Sequence, residues 1–138
     1  GFDKEAAWVM VRVSLPNNEF ETPRWHPDGG YYHDSGGRWA PAYKLVATLK
    51  GSQTLFAEKI DAEKFGNTLT GDDTIETRKE LAKYVKPMDI VKNGQGVVCL
   101  VGHKDAVIHS EPDITGPRIF MAVLPGSEEQ IKEWKGEK

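Results

Sequence analysis

All four histidines of this 138-residue chain fall in two short segments. His26 and His33 lie in Trp25-His26-Pro27-Asp28-Gly29-Gly30-Tyr31-Tyr32-His33-Asp34, and His103 and His109 lie in the segment 102–109. In an extended segment, side chains two apart point the same way, so His26 and Asp28 share a face. A further imidazole from another strand would complete two histidines and one carboxylate on one side of a metal ion. That facial arrangement leaves coordination positions open and suits non-haem Fe(II). His109, at the end of a short apolar run, is the candidate third donor. Arg118 opens the apolar run Arg118–Leu124, where Arg118, Phe120, Ala122 and Leu124 share one face. A cation on an apolar face is costly unless it meets an anion, and a carboxylate gripped in a fork would satisfy it.

Other residues compete for these roles. His33-Asp34 repeats the pairing of imidazole and carboxylate deeper in a Gly-rich loop. His103 is an alternative distal donor, but beside Lys104 it reads as an exposed turn residue. Trp25, Tyr31, Tyr32 and Trp39 either line a substrate mouth or pack the long loop from Pro23 to Pro41. Cys99, in an apolar run, reads as a core residue rather than a nucleophile. The chain has no Ser-His-Asp order, phosphate-cradling loop or Cys-x-x-Cys pair.

Positioning these groups falls to short strands. Ala7–Leu15, Tyr43–Leu49, Thr54–Ile60, Asp89–Val91, Gly96–Gly102, Ala106–His109 and Arg118–Leu124 are rich in β-formers and are bounded by turn residues. Tyr43–Leu49 and Thr54–Ile60 read as a hairpin across Lys50-Gly51-Ser52. A turn from His109 to Arg118 is expected to bring those two side chains together. Two helices are expected: one capped by Asp73 with Glu76 and running to about Val85, the other capped by Ser127 with Gln130. Many short strands with one or two short helices predict a mainly β fold, a sandwich or jelly roll, as a single domain over 1–138.

Composition narrows the classes further. Eighteen basic against 21 acidic residues leave a net charge of −3, which disfavours a broad nucleic-acid surface. No apolar run is long enough to span a bilayer as a helix. A single cysteine excludes an internal disulfide framework and fits a reducing, cytoplasmic compartment.

With its order and spacing of His26-x-Asp28, His109 and Arg118, the chain resembles the double-stranded β-helix core of the Fe(II)- and 2-oxoglutarate-dependent oxygenases. The resemblance covers about residues 8–125. It implies that His26, Asp28 and His109 hold Fe(II), and that 2-oxoglutarate chelates the metal with its far carboxylate on Arg118. Oxidative decarboxylation to succinate and CO2 would then be coupled to hydroxylation of a substrate C–H bond. Tyr43, Ser110 and Tyr31 are the candidates for a second co-substrate-anchoring hydroxyl. The buttressing N-terminal helices usual in that family have no counterpart before the first strand, so the chain is a minimal version, part of a larger protein, or supported by a partner chain or oligomer that covers the sheet. The rival reading is a non-catalytic β-sandwich binding or assembly subunit derived from the same fold. A cupin-type metalloenzyme without 2-oxoglutarate is a third reading, disfavoured by Arg118.

Overall fold

The computed structural model describes residues 5–69, 72–89, 92 and 94–136. Its strands and helices follow in the order β1 (Ala6–Ser14), β2 (His26–Pro27), β3 (Tyr32–His33), β4 (Trp39–Ala40), β5 (Ala42–Lys50), β6 (Leu55–Lys59), α1 (Ala62–Leu69), α2 (Ile75–Ala82), β7 (Val85–Met88), β8 (Gly96–Val101), β9 (Ile108–Ser110), β10 (Arg118–Gly126) and α3 (Glu128–Trp134). Ile90 and Val91, which the sequence places in a strand with Asp89, lie outside the described residues.

Two four-stranded antiparallel sheets carry the architecture, one in the order β1-β10-β5-β8 and the other in the order β2-β9-β6-β7. The chain alternates between them, so neighbours in sequence are often in different sheets. Alternation of side chains gives each sheet an inner face. Val46, Cys99 and Ala122 of the first sheet pack against Phe56 of the second. Burial pushes the Cys99 thiol up to about 11, as fits a core position. A second cluster gathers Trp25, Ala57, Phe65, Leu81, Val85 and Ile108 under the helices. Trp25 therefore packs the core and does not line a mouth.

Two expected strand pairings are not formed. β5 bonds to β10 and β8, whereas β6 bonds to β7 and β9, so the two are not a hairpin but members of different sheets. Gly51 makes the crossover. Its φ of +87° is in the region that favours glycine, and a Cβ there would lie 2.6 Å from the Pro117 carbonyl oxygen. The same close approach seats this turn on the backbone of Arg118. β9 and β10 are likewise in different sheets. His109 and Arg118 share one cavity because the sheets face each other, not because a hairpin joins them.

Three helices are present among the described residues, one more than expected. In α1, Asp61 accepts a hydrogen bond from the Lys64 amide, and Phe65 plunges into the core. α2 is capped by Thr74 rather than Asp73, since the Thr74 hydroxyl accepts from the Thr77 amide. It ends at Ala82, and Val85–Met88, Pro87 included, forms an edge strand that pairs only with β6. Asp73 is engaged elsewhere, bridging Arg78 in a fork at 2.7 and 2.9 Å. Arg78 also donates to the Glu19 and Thr22 carbonyls at 2.7 and 3.1 Å, pinning the loop that leads into β2. Arg78→Ala is expected to lower stability by about 1–3 kcal/mol, the cost of orphaning such acceptors, measurable by urea unfolding. The C-terminal helix α3 forms as expected, with the full reciprocal cap between Ser127 and Gln130.

Candidate metal and anion site

β2 and β9 pair with His26 directly opposite His109. Asp28 follows one residue beyond β2 and points the same way as His26. One potential ligand atom from each of the three lies within 4.8 Å of the others. Donors sharing one ion at about 2.1 Å sit roughly 3–4 Å apart, so a small contraction would close the triad.

The hydrogen bonds set the tautomers. His26 Nδ1 lies 2.7 Å from the Arg24 carbonyl oxygen, and His109 Nδ1 lies 3.3 Å from that of Val107. A carbonyl can only accept, so each Nδ1 carries the proton and each Nε2 is left to face the site. Backbone carbonyls orient metal-binding imidazoles in this way. His109 Nε2 then faces Asp28 Oδ1 at 3.3 Å. In the metal-free site Nε2–H donates to that carboxylate oxygen, and a bound metal ion would take the proton's place.

Burial lowers the His26 basicity, which favours the neutral imidazole a metal needs. Burial alone would raise the Asp28 carboxyl. The contact with His109 and the Lys44 ammonium outweigh it and hold Asp28 far below the usual carboxylate range. Lys44, on the inner face of β5, is 11% exposed and bridges Asp28 Oδ2 at 2.5 Å. It also lies 3.3 Å from the Tyr31 hydroxyl. The aspartate thus has one oxygen turned to the histidines and the other held by an ammonium.

Because the folded protein depresses the His26 pKa, the unfolded chain binds the proton more readily. The stability this group contributes is whole above the unfolded value of 6.5 and drains away as pH falls below it. Metal-free protein is therefore expected to melt at progressively lower temperature from about pH 6.5 downward, with a shallower slope in His26→Gln. Calorimetry across pH checks it.

Arg118 stands at the other end of the same cavity and is only 2% exposed. Its Nε donates to the Ser52 carbonyl at 2.8 Å, and one Nη donates to Thr54 Oγ1 at 2.8 Å and to Thr48 Oγ1 at 3.4 Å. The guanidinium packs over the Phe120 ring, 4.9 Å from its centroid. All of these partners are neutral, and among the described residues no carboxylate bridges it. Burial lowers its basicity, and the Glu111 carboxylate on the same cavity wall offsets only part of that effect. The cavity between Arg118 and the triad measures about 390 Å³, in the range of small-molecule sites.

The remaining expected residues are elsewhere. Tyr43 is 53% exposed on the outer face of β5, because alternation turns its neighbour Lys44 inward. It does not reach the cavity, which removes it as a co-substrate anchor. Ser110 is fully buried and structural, accepting from the Arg24 amide and donating to the Glu111 carbonyl. Tyr31 does line the cavity, with its hydroxyl on Lys44. His33 stacks on Trp39 at 4.0 Å and pairs with Glu133, while Asp34 is held by Arg38, so this pair faces away from the triad. His103 sits at a turn beside Asp105. Tyr32 is core, donating its hydroxyl to the Leu124 carbonyl.

Sequence reasoning missed Lys44 and the hydroxyls of Thr48 and Thr54. The signal for Lys44 was present: with Val46 and Thr48 it takes the inward positions of β5, where a lone cation needs a partner. Trp8, Met10 and Trp134 also line the cavity and were not singled out for it. The chain matches no family model, no curated protein and no solved structure. The site therefore stands on its own geometry.

Proposed function

We propose that this protein is an Fe(II)- and 2-oxoglutarate-dependent oxygenase on a double-stranded β-helix, or jelly-roll, core. The observation that carries the reading is one cavity with two differently built ends. At one end, two imidazoles with Nε2 turned toward the site and a carboxylate converge. At the other, a buried arginine has only neutral partners. The alternation of the chain between two four-stranded sheets supports the jelly-roll assignment.

His26, Asp28 and His109 fit Fe(II) in donor type and in leaving one side open. The bound metal would supply activation of O2. The protein's own work is positional. The Arg24 and Val107 carbonyls orient the imidazoles, and Lys44 occupies one oxygen of Asp28, leaving the other for the metal. Arg118, with Thr54 beside it, would take the far carboxylate of 2-oxoglutarate. That anion would supply the direct ion-pair partner the guanidinium lacks among the described residues and would fix the distance between the co-substrate's two ends. Phe120 and Ala122 give the middle of the cavity an apolar wall.

One observation favours a second reading, an assembly subunit with the same fold. The outer face of the β1 sheet exposes Val9, Val11, Val13, Tyr43, Leu49 and Val98, each more than half exposed. A face of that kind marks a contact with another chain. Anaerobic titration of Fe(II) and 2-oxoglutarate separates the readings. A weak visible charge-transfer band that needs both additions is the expected result. Metal binding with no band and no 2-oxoglutarate affinity would favour a cupin-like metalloprotein. Failure to bind either would leave the assembly subunit.

A further inference from the structure

We infer that the cavity takes a substrate carrying an oxyanion, a carboxylate or a phosphate, and that Arg12 is the group that anchors it. This rests on the oxygenase reading for the word substrate, but the anion site itself does not. Four cations and two carboxylates line the cavity: Arg12, Arg24, Lys44 and Arg118 against Asp28 and Glu111. With neutral histidines the wall carries a net of two positive charges, inside a chain whose net charge is −3. Two of the cations are spent on the carboxylates, since Lys44 bridges Asp28 and Arg24 bridges Glu111 at 3.2 Å. Arg118 and Arg12 remain.

A divalent metal and a dianionic co-substrate cancel in charge, so loading both leaves the surplus in place. Arg118 is then occupied, and Arg12 is the cation left over. It is on the inner face of β1, in line with Trp8 and Met10, and pairs across the sheet with Phe120, two residues from Arg118. Its one hydrogen-bond contact among the described residues is a weak one, from Nη2 to the Met10 sulfur at 4.0 Å. Unlike Arg118 it is exposed, so it meets solvent at the open side of the cavity where a second molecule would enter. Trp8, Leu124 and Trp134 supply apolar surface along the same wall. A cation beside an apolar wall selects an amphipathic small anion. The negative charge of the chain as a whole works against a long polyanion.

The probes are phenylacetate, phenyl phosphate and the neutral phenylacetamide, each titrated into metal-loaded anaerobic protein with and without saturating 2-oxoglutarate. Tryptophan fluorescence and ligand-observed NMR report binding, since Trp8 and Trp134 are at the site. At least one anion is expected to bind roughly tenfold or more above phenylacetamide, the scale of a charge-assisted fork on a guanidinium. The preferred anion identifies the head group. Arg12→Met should erase the preference and Arg12→Lys should keep part of it, while 2-oxoglutarate affinity stays within about threefold. Equal binding of all three probes overturns the inference. So does an Arg12→Met variant that keeps the preference, or one that weakens 2-oxoglutarate instead, which would make Arg12 a co-substrate anchor. If 2-oxoglutarate fails to bind while the Arg12-dependent preference persists, the oxygenase reading falls and the anion site stands.

Discussion

Replacing Asp28 with alanine is expected to abolish metal binding and any turnover of 2-oxoglutarate together. Asp28 is the anionic member of the triad and the only carboxylate among its three donors. Even partners that merely orient a ligand cost about 10–100-fold in affinity when removed, so loss of the charged ligand itself should exceed roughly 100-fold. As part of a Pro-Asp-Gly turn, Asp28 reads as a position where alanine costs little stability, about 1 kcal/mol or less. The structure revises that. Asp28 and Lys44 are 15% and 11% exposed, and alanine would leave the ammonium with the Tyr31 hydroxyl as its remaining partner. Stranding a half-buried cation raises the cost to about 1–3 kcal/mol. Asp28→Asn is the cleaner variant, because its amide oxygen can still accept from Lys44 while the ligand charge is gone. Isothermal titration with Fe(II) and a thermal melt of both variants check the expectation. Retention of full iron affinity by a folded Asp28→Asn variant would remove Asp28 from the ligand set.

Arg118→Ala is expected to weaken 2-oxoglutarate binding by about 2–5 kcal/mol while metal affinity persists. The effect is large because the guanidinium is 2% exposed and its interaction with an anion is little screened by water. The metal should stay because Arg118 belongs to the opposite end of the cavity and touches none of the three donors. Stability of the alanine variant is expected to fall by about 1–3 kcal/mol, because the Ser52 carbonyl and the Thr54 hydroxyl lose their donor. Relief of the guanidinium's desolvation cost offsets part of that loss. Arg118→Met fills the vacated space beside Phe120 and guards against a cavity effect in the alanine variant. The check is co-substrate affinity by titration, set against the unfolding midpoint. A sharp loss of stability in both variants, with 2-oxoglutarate affinity unchanged, would assign Arg118 to structure.

The chemistry of the site was legible in residue types and local spacing. Period-two alternation is a property of any extended segment, so His26 and Asp28 share a face wherever the strand ends up. The same rule put Arg118 on the inner side of β10 with Phe120, Ala122 and Leu124. It also implies that Tyr43 and Lys44 cannot both face inward. Helix α3 was legible because its cap closes within Ser127–Gln130 and needs nothing distant.

What only the tertiary structure decided is long-range pairing. The turn at Gly51 looks like a hairpin turn, yet strands joined by a turn can pair or diverge, and which occurs depends on partners far along the chain. β5 found β10 and β8, and β6 found β9 and β7, so the turn became a crossover between sheets. The juxtaposition of His109 with His26 is a pairing across 83 residues, which composition and spacing can nominate but cannot place in register. The neutral surroundings of Arg118 are likewise a tertiary fact. Ser52, Thr48 and Thr54 reach it because the crossover at Gly51 is pressed against its backbone, and no local pattern encodes that approach.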